Sequence, residues 1–144
     1  MFGKIFFWAL VLFGTSLVRA QECFLGIGGD DTEMIVSTFQ LNESQIATME
    51  TLRGELEVGS KGIEDQITKL LAEHPQSKEE DLITMGEKYK ALQDQLVQLA
   101  LQADKKLLET FNARQYERYL ELCNEAVRRP IFVTPMVYEK ETKD

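Results

Sequence analysis

Two apolar stripes at helical spacing, parted by a single His-Pro step, restrict this chain more than any other feature. Ile46, Met49, Leu52, Leu56, Ile63, Ile67 and Leu70 recur at steps that favour one helix face. Leu82, Met85, Tyr89, Leu92, Leu96, Leu99 and Ala103 alternate by three and four, as in a coiled-coil seam. His74-Pro75 separates them, because proline disfavours helical geometry in the residue before it. Ser77 and Glu80 then form an S-x-x-E helix start. The pattern predicts helices over Glu43–Glu73 and residues 78–110, folded as an antiparallel hairpin with arms about 45 Å long. Ile83, Val97, Ala100, Leu101, Leu107, Leu108 and Phe111 widen the second stripe. A lone hairpin cannot cover that surface, so a further helix or a second chain is required. We read the stripe as core plus homodimer interface, and Gln95, Gln98 and Gln102 as a solvated row. Gly54, Gly59 and Gly62 interrupt the first arm at about 0.8–1 kcal/mol each relative to alanine. Gly59-Ser60 is a kink candidate, set against a merely tolerated defect.

One short pattern is written twice. "LNESQI" places Leu41, Asn42, Gln45 and Ile46 where "FNARQY" places Phe111, Asn112, Gln115 and Tyr116. Asparagine caps a helix through its side-chain oxygen. Glutamine three residues on reaches back to the cap's N–H, and the flanking apolar pair forms a staple. The second copy predicts a third helix over residues 113–127, with Tyr116, Tyr119, Leu120, Cys123 and Val127 on one side. Asp30 and Glu33 suggest a D-x-x-E start for a short helix holding Met34, Ile35 and Phe39. The fold class expected is therefore all-α: a short N-terminal helix within residues 21–41, then a helical domain over 42–129. An extended or disordered tail follows over 130–144, carrying Pro130, Pro135 and the β-formers Ile131, Phe132, Val133, Val137 and Tyr138.

Residues 1–20 read as a secretory signal peptide. Lys4 precedes an apolar run over residues 5–13, and Val18-Arg19-Ala20 resembles a cleavage site. The run falls short of the roughly 20 residues a spanning helix needs, so no stable membrane insertion is expected. Gln21-Glu22 before Cys23 lacks the small residue that precedes a lipid-acceptor cysteine. Cleavage after Ala20 leaves 124 of 144 residues, and its two lost basic residues take the net charge from −8 to −10. That acidity argues against nucleic acid and anionic membranes as partners. Export places Cys23 and Cys123 in an oxidising compartment. An intramolecular disulfide is the favoured reading, beside two free thiols or an intermolecular bridge. By the chain-entropy model, closing a loop of ~100 residues contributes up to about 4.7 kcal/mol.

Catalytic chemistry is sparse. His74 is alone and sits in a turn, where a histidine is ordinarily solvated. Cys123 lies on an apolar helix face without a base partner. No H-E-x-x-H, C-x-x-C or calcium-loop pattern occurs. Gly26, Gly28 and Gly29 lack the Lys-Ser/Thr of a nucleotide loop, and we read residues 21–29 as a flexible lead-in. No cofactor or metal is expected, and an enzyme is not.

The repeated "LNESQ" and "FNARQ" resemble the L-T-x-x-Q signature of the Spy/CpxP-like family of periplasmic proteins. Asparagine stands for threonine in both copies and phenylalanine for leucine in the second, swaps that keep cap and staple. The likeness spans residues 41–127. It implies a small helical, cradle-shaped homodimer in a Gram-negative periplasm, among ATP-independent chaperones, stress regulators and metal sensors. Its family residues are Leu41, Asn42, Gln45, Phe111, Asn112 and Gln115, in structural roles. This chain departs from the pattern in its acidity, its lack of His and Cys metal ligands, and its proline-containing tail. The function expected is the holding of unfolded envelope proteins, with Met49, Met85, Leu92, Leu96 and Leu99 as candidate contacts. The alternative is a dedicated subunit of an envelope sensor or assembly, bound through Ile131, Phe132 and Val133. A metal-responsive sensor is the remote third reading.

Overall fold

The computed structural model describes residues 21–138; the signal peptide expected over residues 1–20 and the last six residues lie outside them. The fold is all-α. Helix α1 spans Thr32–Phe39, α2 Glu43–Glu73, α3 Glu79–Leu108 and α4 Ala113–Glu125. Helices α2 and α3 form the predicted hairpin, turning at residues 74–78. The single hydrophobic core lies at its open end.

The two caps form as the sequence dictates. Asn42 and Asn112 are extended, and each accepts a hydrogen bond from the N–H of its glutamine three residues on, with both capping boxes complete. The other two start signals fail. Lys78, not Ser77, caps α3, and Asp31, not Asp30, caps α1; neither makes a side-chain cap bond. Helix α3 stops at Leu108 and α4 at Glu125, each two residues short of expectation. Past the end of α4, Val127 takes φ 53°, with the Arg128 N–H bonded to the Cys123 carbonyl. That is a Schellman stop with a β-branched residue where glycine is preferred.

Helix α2 runs as one continuous helix through Gly59. A Cβ added at Gly59 would sit 2.6 Å from a Leu99 methyl carbon. Close approach of the arms therefore explains this glycine. Gly54 and Gly62 face open space.

Residues 21–29 are not a loose lead-in. They form a strap pinned across the open end of the hairpin. Ile27 is fully buried within the core, and the strap backbone pairs with residue 129. Gly26 takes φ +79° where the strap turns. Residues 130–138 are extended and lie back along α4, bridging to Asn112 through Met136.

Candidate functional site

The twice-written cap makes one node. Gln45 donates from Nε2 to Gln115 Oε1 at 2.9 Å, and Gln115 donates from Nε2 to Gln45 Oε1 at 3.0 Å. Each Oε1 also accepts from its own cap N–H, Asn42 at 3.0 Å and Asn112 at 2.9 Å. Each amide nitrogen then reaches across to the chain entering the other helix. Gln45 bonds the Thr110 carbonyl at 2.8 Å and Gln115 the Phe39 carbonyl at 3.0 Å. Leu41 and Phe111 are buried beside them, and Phe39 packs on Phe111 with ring centroids 5.1 Å apart. The node is thus approximately two-fold and leaves no buried side-chain polar atom unpartnered. It locks the starts of α2 and α4 together, and it is structural.

A second polar anchor lies on α3 and was not foreseen. Asp104 is buried, and its two oxygens accept from the strap N–H groups of Gly26 at 3.0 Å and Ile27 at 3.2 Å. Burial pushes its carboxyl above the ordinary carboxylate range, against the opposing pull of backbone hydrogen bonds from residues 25–27. On the α4 side, Cys23 is disulfide-bonded to Cys123. The Tyr119 hydroxyl donates to the Cys23 carbonyl at 2.6 Å and accepts from the Ile131 N–H at 2.9 Å. Burial, first among its causes, pushes this phenol up to about 12. Tyr116 repeats the grip, donating to the Ile131 carbonyl and accepting from the Val133 N–H. Strap and tail are held by the same helix.

The candidate contacts divide into three groups. Met49, 1% exposed, is core and is closed to any partner. Ile131 is likewise buried, and Leu99 is spent on the Gly59 crossing. Met85, Leu92 and Leu96 are half-buried on α3, and Val133 is half-buried in the tail, whereas Phe132 is 74% exposed. The structure adds three residues that the stripe named without singling them out. Leu82, Tyr89 and Val97, exposed by 47%, 39% and 48%, lie along α3 beside the α2-facing positions. Near the core, the corresponding side of α3 carries Ala100, Asp104 and Leu107, which are half-buried or buried. Towards the turn no described residue buries it. Beyond Ile63 and before Ala103 the hairpin has no buried residue. A hollow of about 570 Å³ opens between the arms there, floored by Leu70, Ala91 and Leu92 with Lys69 and Lys88 among its lining residues.

Among the described residues, no group of three or more His, Cys, Asp or Glu is placed to hold a metal ion. No helix among them is long and apolar enough to cross a membrane. No known family model matches the chain, and no curated protein or solved structure matches it.

Proposed function

We propose that this chain is a periplasmic, non-enzymatic binding protein of the Spy/CpxP-like kind, acting as a homodimer. It holds apolar stretches of unfolded envelope proteins without ATP. The observation that carries the reading is the bare side of α3, where Leu82, Tyr89 and Val97 are exposed on an arm without a core of its own. Met85, half-buried beside them, supplies an adaptable thioether suited to varied partners. Glu79, Glu80, Asp81 and Glu87 lie along the same arm. They favour client segments in which basic residues flank apolar ones. Such a surface needs a client's side chains and no reacting group, in keeping with the sparse catalytic inventory.

The test is light scattering of an unfolding client in the presence of the purified chain from Gln21 to Asp144, without nucleotide. Suppression near stoichiometric ratios is expected; unchanged scattering across several clients would remove the reading. A dedicated-subunit reading rests on a different observation, the exposed Phe132 and Val137 of the tail. It predicts recovery of one stoichiometric envelope partner, lost when residues 130–138 are deleted.

A further inference from the structure

We propose that the strap is a redox-latched cover, and that reducing the Cys23–Cys123 disulfide extends the binding face of α3. The inference rests on the proposed use of that face for apolar clients. Four observations carry it.

The strap belongs to no helix yet contributes a fully buried apolar side chain, Ile27, to the core. It crosses the hairpin where the bare side of α3 ends. Asp104 on α3 bonds its backbone, and a Cβ added at strap Gly28 would meet Leu56 of α2 at 2.7 Å. Lifting the strap would therefore join Leu82, Tyr89 and Val97 to the face around Ala100 and Asp104.

Its other polar attachments are the Cys23 N–H to the Arg129 carbonyl at 2.8 Å, the Arg129 N–H to the Gln21 carbonyl at 2.9 Å, the buried Tyr119 hydroxyl, a long Arg53 contact to the Gly29 carbonyl at 3.5 Å and an exposed Glu22–Arg129 ion pair of little individual weight. The disulfide is the only covalent one.

The strap also imposes a cost while closed. It keeps the Asp104 carboxylate out of water, and opening returns that group to solvent. An open cleft of about 930 Å³ already flanks the strap, lined by Phe24, Gly28, Arg53, Glu57 and Asp104 among others.

Finally, the rest of the fold has its own fastening. The Gln45–Gln115 node and the Phe39–Phe111 contact join α1, α2 and α4 without any strap atom. Opening is local for that reason.

The step is thiol–disulfide exchange with a dithiol donor. Both cysteines are buried while the strap is closed, so exchange follows a transient lift of the strap: a donor thiolate then attacks the Cys23 sulfur, the Cys23–Cys123 bond breaks, and the second donor thiol resolves the mixed disulfide. The cystine gains two electrons and two protons, and the donor leaves as its own disulfide.

The test compares amide exchange in the oxidised chain and in the chain reduced with dithiothreitol. Residues 24–27 are expected to exchange at least tenfold faster after reduction, while amides in the first turns of α2 and α4 keep their protection. Reoxidation should restore the strap. Binding of a fluorescent apolar dye should rise several-fold in the reduced chain. Equal exchange of the strap in both states would overturn the latch. So would simultaneous loss of protection throughout the chain, which would make the bond a plain stabiliser. A Cys23→Ser/Cys123→Ser chain that folds must mimic the reduced state, or the latch is again overturned. Client scattering in both states separates this idea from the one it rests on. A strap that opens without client suppression in either state removes the holding function, while suppression with a strap that never opens removes the latch alone.

Discussion

Replacing Gln45 or Gln115 with alanine removes hydrogen bonds at both ends of a shared amide pair and takes the glutamine donor from the Thr110 or Phe39 carbonyl at the entry to the other helix. Each substitution should cost about 2–3 kcal/mol in urea unfolding. The double variant should cost clearly less than the sum, with a coupling of about 1 kcal/mol or more. Independent, additive losses would mean that each glutamine serves only its own cap. The capping roles were legible, because Asn and Gln three residues apart name their own partners. The meeting of the two glutamines was not, since a local pattern carries no information about which distant cap it faces. Asp104 was hidden for a similar reason: it sits in a helix beside Lys105 and Lys106 and reads as an ordinary surface acid. Its carboxyl binds a proton more readily in the folded than in the unfolded chain. Its contribution to stability is therefore fullest below the ordinary carboxylate pKa and falls as pH rises through the raised folded one. The stability difference between the wild-type chain and Asp104→Asn should accordingly shrink as pH rises from about 4 towards neutrality. A difference that grows with pH would show the strap's N–H groups outweighing burial. At the end of α4, Val127→Gly relieves a β-branched residue at φ 53°. It should raise stability by about 0.5–1 kcal/mol after the extra freedom of the unfolded glycine is subtracted.

The helices themselves were largely written in the stripes. The hairpin, its turn and the two boxed starts follow from spacing, proline and caps alone, and α2 occupies the predicted span. The failures lie at starts where the chain had a choice. Helix α3 begins one residue beyond the register Ser77 would need, so its first-turn acids Glu79, Glu80 and Asp81 face the helix dipole without a side-chain cap. The strap was misread because a glycine-rich sequence says where a chain can turn and not what holds it. What holds it here is Asp104, more than 70 residues away. The glycines of α2 provide a test at this scale. Gly62→Ala, with open space at its Cβ, should gain about 0.5–1 kcal/mol. Gly59→Ala must displace the Leu99 side chain and should fall at least about 1 kcal/mol below Gly62→Ala in the same denaturation series. Equal effects would mean that the arms yield freely at their crossing.

The whole molecule is divided along its length. One end is a core tied by the node, the strap, the tail and a disulfide. The other is a two-helix arm with apolar side chains left in water. That division explains why the second stripe is broader than one helix pair can bury: part faces the core and part faces outward. Composition and charge argued only against nucleic acid and anionic membranes as partners, while the boundary between the two parts became visible only once the strap was in place over α3. The claim that the outer part is the binding surface is tested most directly by one variant, Leu82→Ser/Tyr89→Ser/Val97→Ser. Its thermal midpoint and its suppression of client light scattering should be measured beside those of the wild-type chain. The account predicts a midpoint within a few degrees of wild type, because none of the three is buried, and suppression reduced at least tenfold. Full suppression by the variant would contradict it and place client contact elsewhere on the molecule.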